Sequence, residues 1–553
     1  MENVAQKSSD TAGFSIKYPL LWLAVATVVI YLPTLSMGVT DLDDGIFIND
    51  FRDYNENLQN LFTSFHRSVF GVIKDLYYRP LFLDLMILNY QVADHGKNIA
   101  AFHLVNVALE VTAVILLYKF FIKLKIKELH SFLLTLLFAV HPVLTETVAW
   151  ISARIEIMLA IFVLLFFINA ISYTDTGKIK NLLLSGLYLA LAFFTKETAI
   201  AAIPAAFMLL VFVRRKNWRE RRSLVQYGVW IGTFAIWFAM RTLAHMHYPA
   251  VPPVEMASSF VSRLPLISQY IGKVFLPFNL SVYPMQEDTA WYYGAIATAV
   301  FVLLLFTYRQ RNMGIFIAGL SIFLVFLLPS FFVPKYINQQ TFEYRLYIPM
   351  IGILLLLTQT PLLQNKLEDK KLLIAGVALC GLLSVINFNY QKSFNDPVAF
   401  WTQAVETTPH SSYANMMLAA RTSDPDQSKQ LFLKAFALNP RERYVNYIYA
   451  VMLQDKDSVL ASEKYLLAEK EITNYYKCDF YLARVAIERK ELPKAITYLE
   501  TYLKNDRKND MANNNLLLLY LDTDQDEKAK QQAMSMRDNG LNVPKAVLQH
   551  FNL

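Results

Sequence analysis

Cysteine is nearly missing from this sequence. There are two in 553 residues, Cys380 and Cys478, far apart and with no metal-type spacing. A disulfide framework and a cysteine-based zinc site are therefore excluded. Charge is also scarce: Asp, Glu, Lys and Arg make up 18% of the chain, against 55% hydrophobic residues and a mean hydropathy of +0.31. A water-soluble protein of this length rarely has that balance, so membrane segments are the first expectation. The net charge of +7 does not point to nucleic acid, because basic residues also set membrane topology.

Apolar runs, by contrast, are abundant, and they are confined to residues 1–390. A span needs about 20 mostly apolar residues to cross ~30 Å of hydrocarbon. That rule marks eleven segments: 18–37, 99–118, 131–148, 155–174, 181–195, 198–213, 223–244, 290–308, 314–333, 346–362 and 372–389. The first lacks a small-residue cleavage site and reads as a retained anchor. The stretch 258–283 is interrupted by Arg263, Pro265, Lys273 and Pro277, and is expected to lie at the interface without crossing. With the N-terminus cytoplasmic, the cytoplasmic pieces hold 19 Lys and Arg and the longer outward pieces hold 11. The densest basic stretch is Arg214, Arg215, Lys216, Arg219, Arg221 and Arg222. The positive-inside rule thus puts the loop 38–98 and the polar C-terminal region outside.

From about Asn395 the chain turns polar. Ala461, Ala495 and Ala529 are spaced 34 residues apart, the tetratricopeptide period, with small residues where paired helices pack closest. Pro409 and Pro440 each close an expected helix. About four degenerate repeats are expected in 395–540, as an α-solenoid of the kind whose concave surface holds extended peptides.

Ionisable residues at membrane depth are costly and mark function. They gather on the outward side: Asp41, Asp43, Asp44 and Asp50 in "TDLDDGIFIND"; Arg79 and Asp84 in "YYRPLFLD"; His103 and Asn106 in "HLVN"; His141, Glu146, Arg154 and Glu156 in "HPVLTETVAWISARIE"; Lys196 and Glu197 in "TKE"; Glu343, Arg345 and Tyr347 in "EYRLYIP". Asp41 and Asp50 read as a solvated face. Glu146 with Arg154, and Lys196 with Glu197, are equally readable as structural pairs. Together the acids and cations suit an anionic, membrane-bound substrate. A transporter would place its charges at mid-depth, and a repeat-bearing scaffold would not need them.

These motifs resemble the GT-C glycosyltransferases, in particular the transmembrane-and-tetratricopeptide O-mannosyltransferases, relatives of the protein O-mannosyltransferases. The resemblance rests on Asp43-Asp44 after the first span, "YYRPL", "HLVN", "HPVLTETVAWISARIE", "TKE", "EYRLYIP" and a repeat array after the last span. Where that group commonly has an aromatic before its acidic pair, Leu42 stands here. The resemblance implies an all-α protein: a polytopic domain over 1–390 and a tetratricopeptide domain over 395–553 on the outward side. It implies a sugar, mannose or another hexose, moved with inversion from a polyprenyl phosphate to an acceptor hydroxyl, a protein Ser/Thr or that of a glycan or lipid. Asp43 or Asp44 would be the base. Arg154, Arg345 or Lys196 would take the phosphate charge, and His141 would hydrogen-bond phosphate or sugar. Arg79, Glu146, Glu156, Glu197, Glu343 and Tyr347 complete the expected donor site. A divalent metal on Asp43 and Asp44 is left open. The expected membrane is a bacterial inner membrane or the endoplasmic reticulum.

Overall fold

Apolar runs free of internal proline satisfy their own backbone donors and acceptors as helices, which is what a bilayer demands. The computed structural model describes residues 16–70, 77–244, 251–308, 310–334, 339–364, 368–455 and 458–553, and among them the regular structure is helix alone. Six helices among the described residues are long and apolar enough to cross a membrane: Pro19–Ser36, Ile99–Lys123, Ile151–Thr176, Arg221–Leu243, Met313–Phe332 and Asp369–Phe394. Several bury little of themselves. The last of these exposes Ile374, Val377, Leu382 and Val385, an apolar surface that suits lipid.

The other five expected spans differ. Glu128–Val140 and Pro142–Ala149 form a pair bent by 53°. Pro142 has no N–H to give, and it pushes His141 into the extended region (φ −69°, ψ 124°). Ile179–Thr195, Glu197–Val213 and Trp291–Thr307 are shorter apolar helices. Tyr347–Leu357 has 11 residues, about 16 Å of helix, and is almost wholly buried. Eleven apolar runs thus become six long helices, one bent pair and four short helices. Composition registers apolarity but not the breaks that Pro142, Lys196 and the Glu343–Leu346 turn introduce.

The segment 258–283 forms two helices, Pro253–Arg263 and Leu266–Phe275. The second lies so close to the helix Trp291–Thr307 that a Cβ on Gly272 would come within 2.7 Å of the Gly294 Cα. The loop after the first span folds into short helices and the helix Pro80–Val92. It is held by a core of Phe47, Ile48, Val69, Phe82, Met86 and Phe102, with Phe47 edge-on to Phe82 at 4.9 Å.

The chain divides into two units, Met1–Thr408 and Pro409–Leu553. The helix Pro397–Thr407 belongs to the first. Trp401 is fully buried there and its indole N–H donates to Asp41 at 3.0 Å. Gln403 accepts from the Val282 N–H at 2.9 Å and donates to the Leu280 carbonyl at 2.9 Å.

The second unit contains four consecutive helix pairs: Ser412–Ala419 with Pro425–Leu438, Val445–Gln454 with Val459–Thr473, Lys477–Glu488 with Leu492–Leu503, and Asp510–Asp522 with Asp526–Asp538. The second helices start 34, 33 and 34 residues apart. Ala495 and Ala529 are fully buried, as the period requires. Ala461 is exposed, and the small buried residue at that register is Ser462, so the equal 34-residue alanine spacing is off by one there. What the packing selects is a small side chain at the close approach, and serine meets that need by turning its hydroxyl to the Val459 carbonyl at 2.6 Å.

Candidate active site

Every residue from His141 to Ala160 is buried. The string "HPVLTETVAWISARIE" enters as a helix end, breaks at Pro142, makes a short helix, breaks again at Trp150 and leaves as the start of a long helix. It is the floor on which the other motifs assemble.

The adjacent acids Asp43 and Asp44 have different surroundings. Asp44 is 1% exposed. Its Oδ1 accepts from the Ser152 N–H at 2.8 Å and the Ser152 hydroxyl at 2.6 Å, and its Oδ2 accepts from the Thr40 N–H at 3.3 Å and hydroxyl at 3.0 Å. Burial raises its pKa and those four donors oppose the rise. Asp43 receives no hydrogen bond from a described residue. Burial first, then the Asp44 charge, lift its carboxyl to about 6, against the pull of Arg79. One acid pins the loop to the floor and the other is free to take a proton.

Cations surround them in pairs. The Arg79 Nε donates to Glu197 at 3.1 Å, and the other Glu197 oxygen accepts from the Tyr78 N–H at 2.7 Å. The Arg79 guanidinium also lies 4.2 Å over the Tyr77 ring. Lys196 pairs with Glu156 and sits 5.4 Å from the Tyr344 ring centre. Lys273, 2% exposed, pairs with Glu343, which also accepts from the Ser281 N–H at 3.3 Å. Arg345 bonds Tyr270, and its buried Nη1 has no acceptor among the described residues. The Tyr344 hydroxyl is within electrostatic reach of Arg345, Glu156, Glu146 and Tyr77, which ties these groups to one region.

Other expected site residues have partners of their own. Arg154 is fully buried and donates to the Ile151 carbonyl at 2.9 Å, Asn89 at 2.7 Å and the Phe102 carbonyl at 2.9 Å, so it clamps three segments. His141 accepts from the Val143 N–H at 3.2 Å through Nδ1, which puts its proton on Nε2, 2.9 Å from the Val274 carbonyl. Glu146 accepts from the Tyr344 N–H at 3.0 Å, while its Oε1 is buried without a donor among the described residues. Tyr347 is turned into the bundle, its hydroxyl 2.5 Å from Glu110. Asn106 donates to the Val148 carbonyl at 2.9 Å, and His103 lies 3.2 Å from the Gly38 carbonyl. No three His, Cys, Asp or Glu side chains among the described residues are grouped to hold a metal. Both oxygens of Asp44 accept hydrogen bonds.

Sequence reasoning missed Lys273, Tyr344 and the Ser152 and Thr40 donors. For Lys273 the signal was present: a lysine in an otherwise apolar stretch.

Beside these groups lies an apolar cavity of about 440 Å³, lined by Leu133, Leu137, Val274, Phe275, Met350 and Leu383. His141 also lines it.

Residues 80–240 match the family model described as dolichyl-phosphate-mannose-protein mannosyltransferase. The chain is 34% identical over 157 residues to Protein O-mannosyl-transferase TMTC4 of Mus musculus, covering 24% of this chain and 21% of that protein. It is 29% identical over 195 residues to a protein O-mannosyl-transferase of Caenorhabditis elegans, covering 34% and 27%. Against TMTC4 of Homo sapiens it is 25% identical over 456 residues, covering 70% of this chain and 57% of that protein. The matches thus span between about a fifth and just over half of these relatives' lengths.

Proposed function

We propose that this chain, which is similar in part to protein O-mannosyl-transferases, is a GT-C membrane glycosyltransferase that transfers a hexose from a polyprenyl-phosphate donor to a protein hydroxyl, with Asp43 as the base. The observation that carries this reading is the inequality of the two acids: Asp44 accepts four hydrogen bonds and Asp43 accepts none from a described residue.

Asp43 takes the proton of the acceptor hydroxyl as its oxygen attacks the anomeric carbon. The bond from that carbon to the phosphate oxygen breaks, and the electron pair stays with the phosphate. Attack from the face opposite the phosphate inverts the anomeric centre. Arg345, with an unfilled Nη1, takes the developing phosphate charge. Arg79 and Lys196, held by Glu197 and Glu156, add positive potential without leaving their partners. The cavity lined by Leu133, Val274 and Leu383 suits the first isoprenyl units of the lipid, and His141 stands where tail gives way to headgroup. Arg154 acts by holding the floor in place, so it is a positioning residue.

The topology supports the same reading. The motif residues cluster at one end of the long helices. The basic segments 119–127 and 214–222 lie at the other end, where Asp175 pairs with Lys123 and Arg214. The positive-inside rule places that basic end in the cytoplasm and the acids outside. The eleven apolar segments then form the membrane domain, and the four helix pairs read as degenerate tetratricopeptide repeats that hold the acceptor chain. A groove of about 580 Å³ lined by Arg441, Asn446, Lys464 and Tyr465 suits an extended peptide.

The test is transfer by purified protein from a panel of polyprenyl-phosphate hexoses, read by mass spectrometry of peptide, glycan and lipid acceptors. Modified Ser or Thr on the peptide supports the reading. Transfer only to a glycan or lipid, or none from any polyprenyl donor, overturns it.

A further inference from the structure

The basic stretch singled out in the sequence takes no part in the chemistry above, and it lines a cavity of its own. At the end of the bundle away from Asp43, a mostly polar pocket of about 350 Å³ is lined by Lys125, Lys127, His130, Arg214, Asn312 and Gln359. A second pocket, of about 430 Å³, shares Lys125 and Arg214 with it and adds Lys119 and Lys123. The helix Ile99–Lys123 carries His103 near one end and Lys123 at the other, so the two sites stand on the order of 30 Å apart along its axis.

The pocket is built by specific local structure. The helix Ile99–Lys123 ends and Lys125 takes a left-handed turn (φ 63°), its N–H returning to the Ile122 carbonyl at 2.9 Å. A widened helical turn, Leu209–Val213, delivers Arg214. That turn lies against Gly314, where an added Cβ would meet the Phe212 carbonyl oxygen at 2.3 Å, so only glycine allows the approach. Asn312 caps the next helix, accepting from the Gly314 and Ile315 N–H groups, and its own N–H goes to Gln359 at 2.7 Å.

Charge is unbalanced there. Arg214 is 12% exposed and spends Nη2 on the Lys123 carbonyl at 2.8 Å and on Asp175 at 3.3 Å. Its buried Nε has no acceptor among the described residues. Asp175 is shared between Lys123 and Arg214. Lys125 and Lys127 form no ion pair with any described carboxylate. A pocket with cations in excess and a buried guanidinium N–H left over recognises a compact oxyanion.

We propose that this pocket is a phosphate site, filled by the phosphodiester headgroup of an anionic membrane lipid, with Arg214 bonding the phosphate oxygens and Lys125 and Lys127 adding charge. Anionic headgroups seat in basic pockets between membrane helices in this way. A soluble phosphate shares the chemistry, and the test separates the two sources. The inference does not rest on the transfer reaction.

The experiment uses the full-length protein in nanodiscs of phosphatidylcholine containing a minor fraction of phosphatidylglycerol, with retained lipid read by native mass spectrometry. Wild-type protein should retain phosphatidylglycerol over phosphatidylcholine by at least about tenfold. Lys125→Ala/Lys127→Ala, both exposed and safe for folding, should lower that preference by about ten- to thirtyfold, and Arg214→Gln should abolish it. If millimolar inorganic phosphate displaces the lipid from wild type and stabilises the wild type but not the variants, the phosphate site stands with a soluble occupant. Equal retention of the two lipids with no response to phosphate, or variants that retain the anionic lipid as wild type does, overturns the proposal.

Discussion

The two ends of the helical bundle use the same residue types in opposite ways. At one end, acids and cations are buried or half-buried and matched: Arg79 with Glu197, Lys196 with Glu156, Lys273 with Glu343. At the other end Lys125 and Lys127 are exposed and Asp175 serves two cations. Buried pairing fixes positions at a high cost if one partner is lost, whereas exposed excess charge binds and is cheap to alter. This contrast sets the order of the expected effects.

Asp43→Asn should lower transfer by about 10²- to 10⁴-fold, the usual worth of a general base. Its stability at pH 7 should hold, because the lost charge is one that burial disfavours. A variant with undiminished turnover would remove Asp43 as the base. Next is the buried pair. Lys273→Met leaves Glu343 buried without its counter-charge, and should cost about 3–5 kcal/mol in chemical unfolding. Lys273→Met/Glu343→Met should recover much of that, and failure to recover would mean that the pair has a role besides neutralisation. Asp44→Asn turns one of the two accepting oxygens into a donor facing the donors of Ser152 or Thr40, and should cost about 1–3 kcal/mol of stability. The contrast with Asp43→Asn in melting temperature at pH 7 separates anchor from base.

The pH profile comes next. A base must be ionised to act, and Asp43 has a carboxyl lifted to about 6. The rate should therefore climb about tenfold per pH unit up to about pH 6 and level off above it. A plateau reaching down to pH 4 would point to an acid in an ordinary environment. The smallest effect belongs to the far end: Lys125→Ala/Lys127→Ala should shift stability by no more than about 0.5 kcal/mol per substitution in detergent.

Much of this site was legible in the sequence, for a physical reason. Charged residues inside apolar runs are rare, so His141, Glu146, Arg154, Glu156, Lys196 and Glu197 stood out, whereas the break at Pro142 was read through as part of one span. What stayed hidden was partnership. Arg154 read as a phosphate ligand because its acceptors are two backbone carbonyls and Asn89, none visible as charge. Tyr347 read as a site residue because its partner Glu110 lies 237 positions away. Lys273 read as an interruption because Glu343 lies 70 positions on. The division of labour between Asp43 and Asp44 could not be read at all, since it depends on Ser152, 108 residues away. In the second unit the helix pairs were legible from period alone, but a one-residue shift at Ser462 was not, because alanine and serine both fit a tight crossing.

The indole of Trp401 holding Asp41 has a practical corollary for anyone wishing to study the first unit by itself. The hydropathy drop near residue 395 invites a cut there, yet such a cut would discard the brace that steadies the strip bearing both acids. A fragment ending beyond Thr408 keeps that brace, and one ending at 390 loses it while still carrying Asp43 and Asp44.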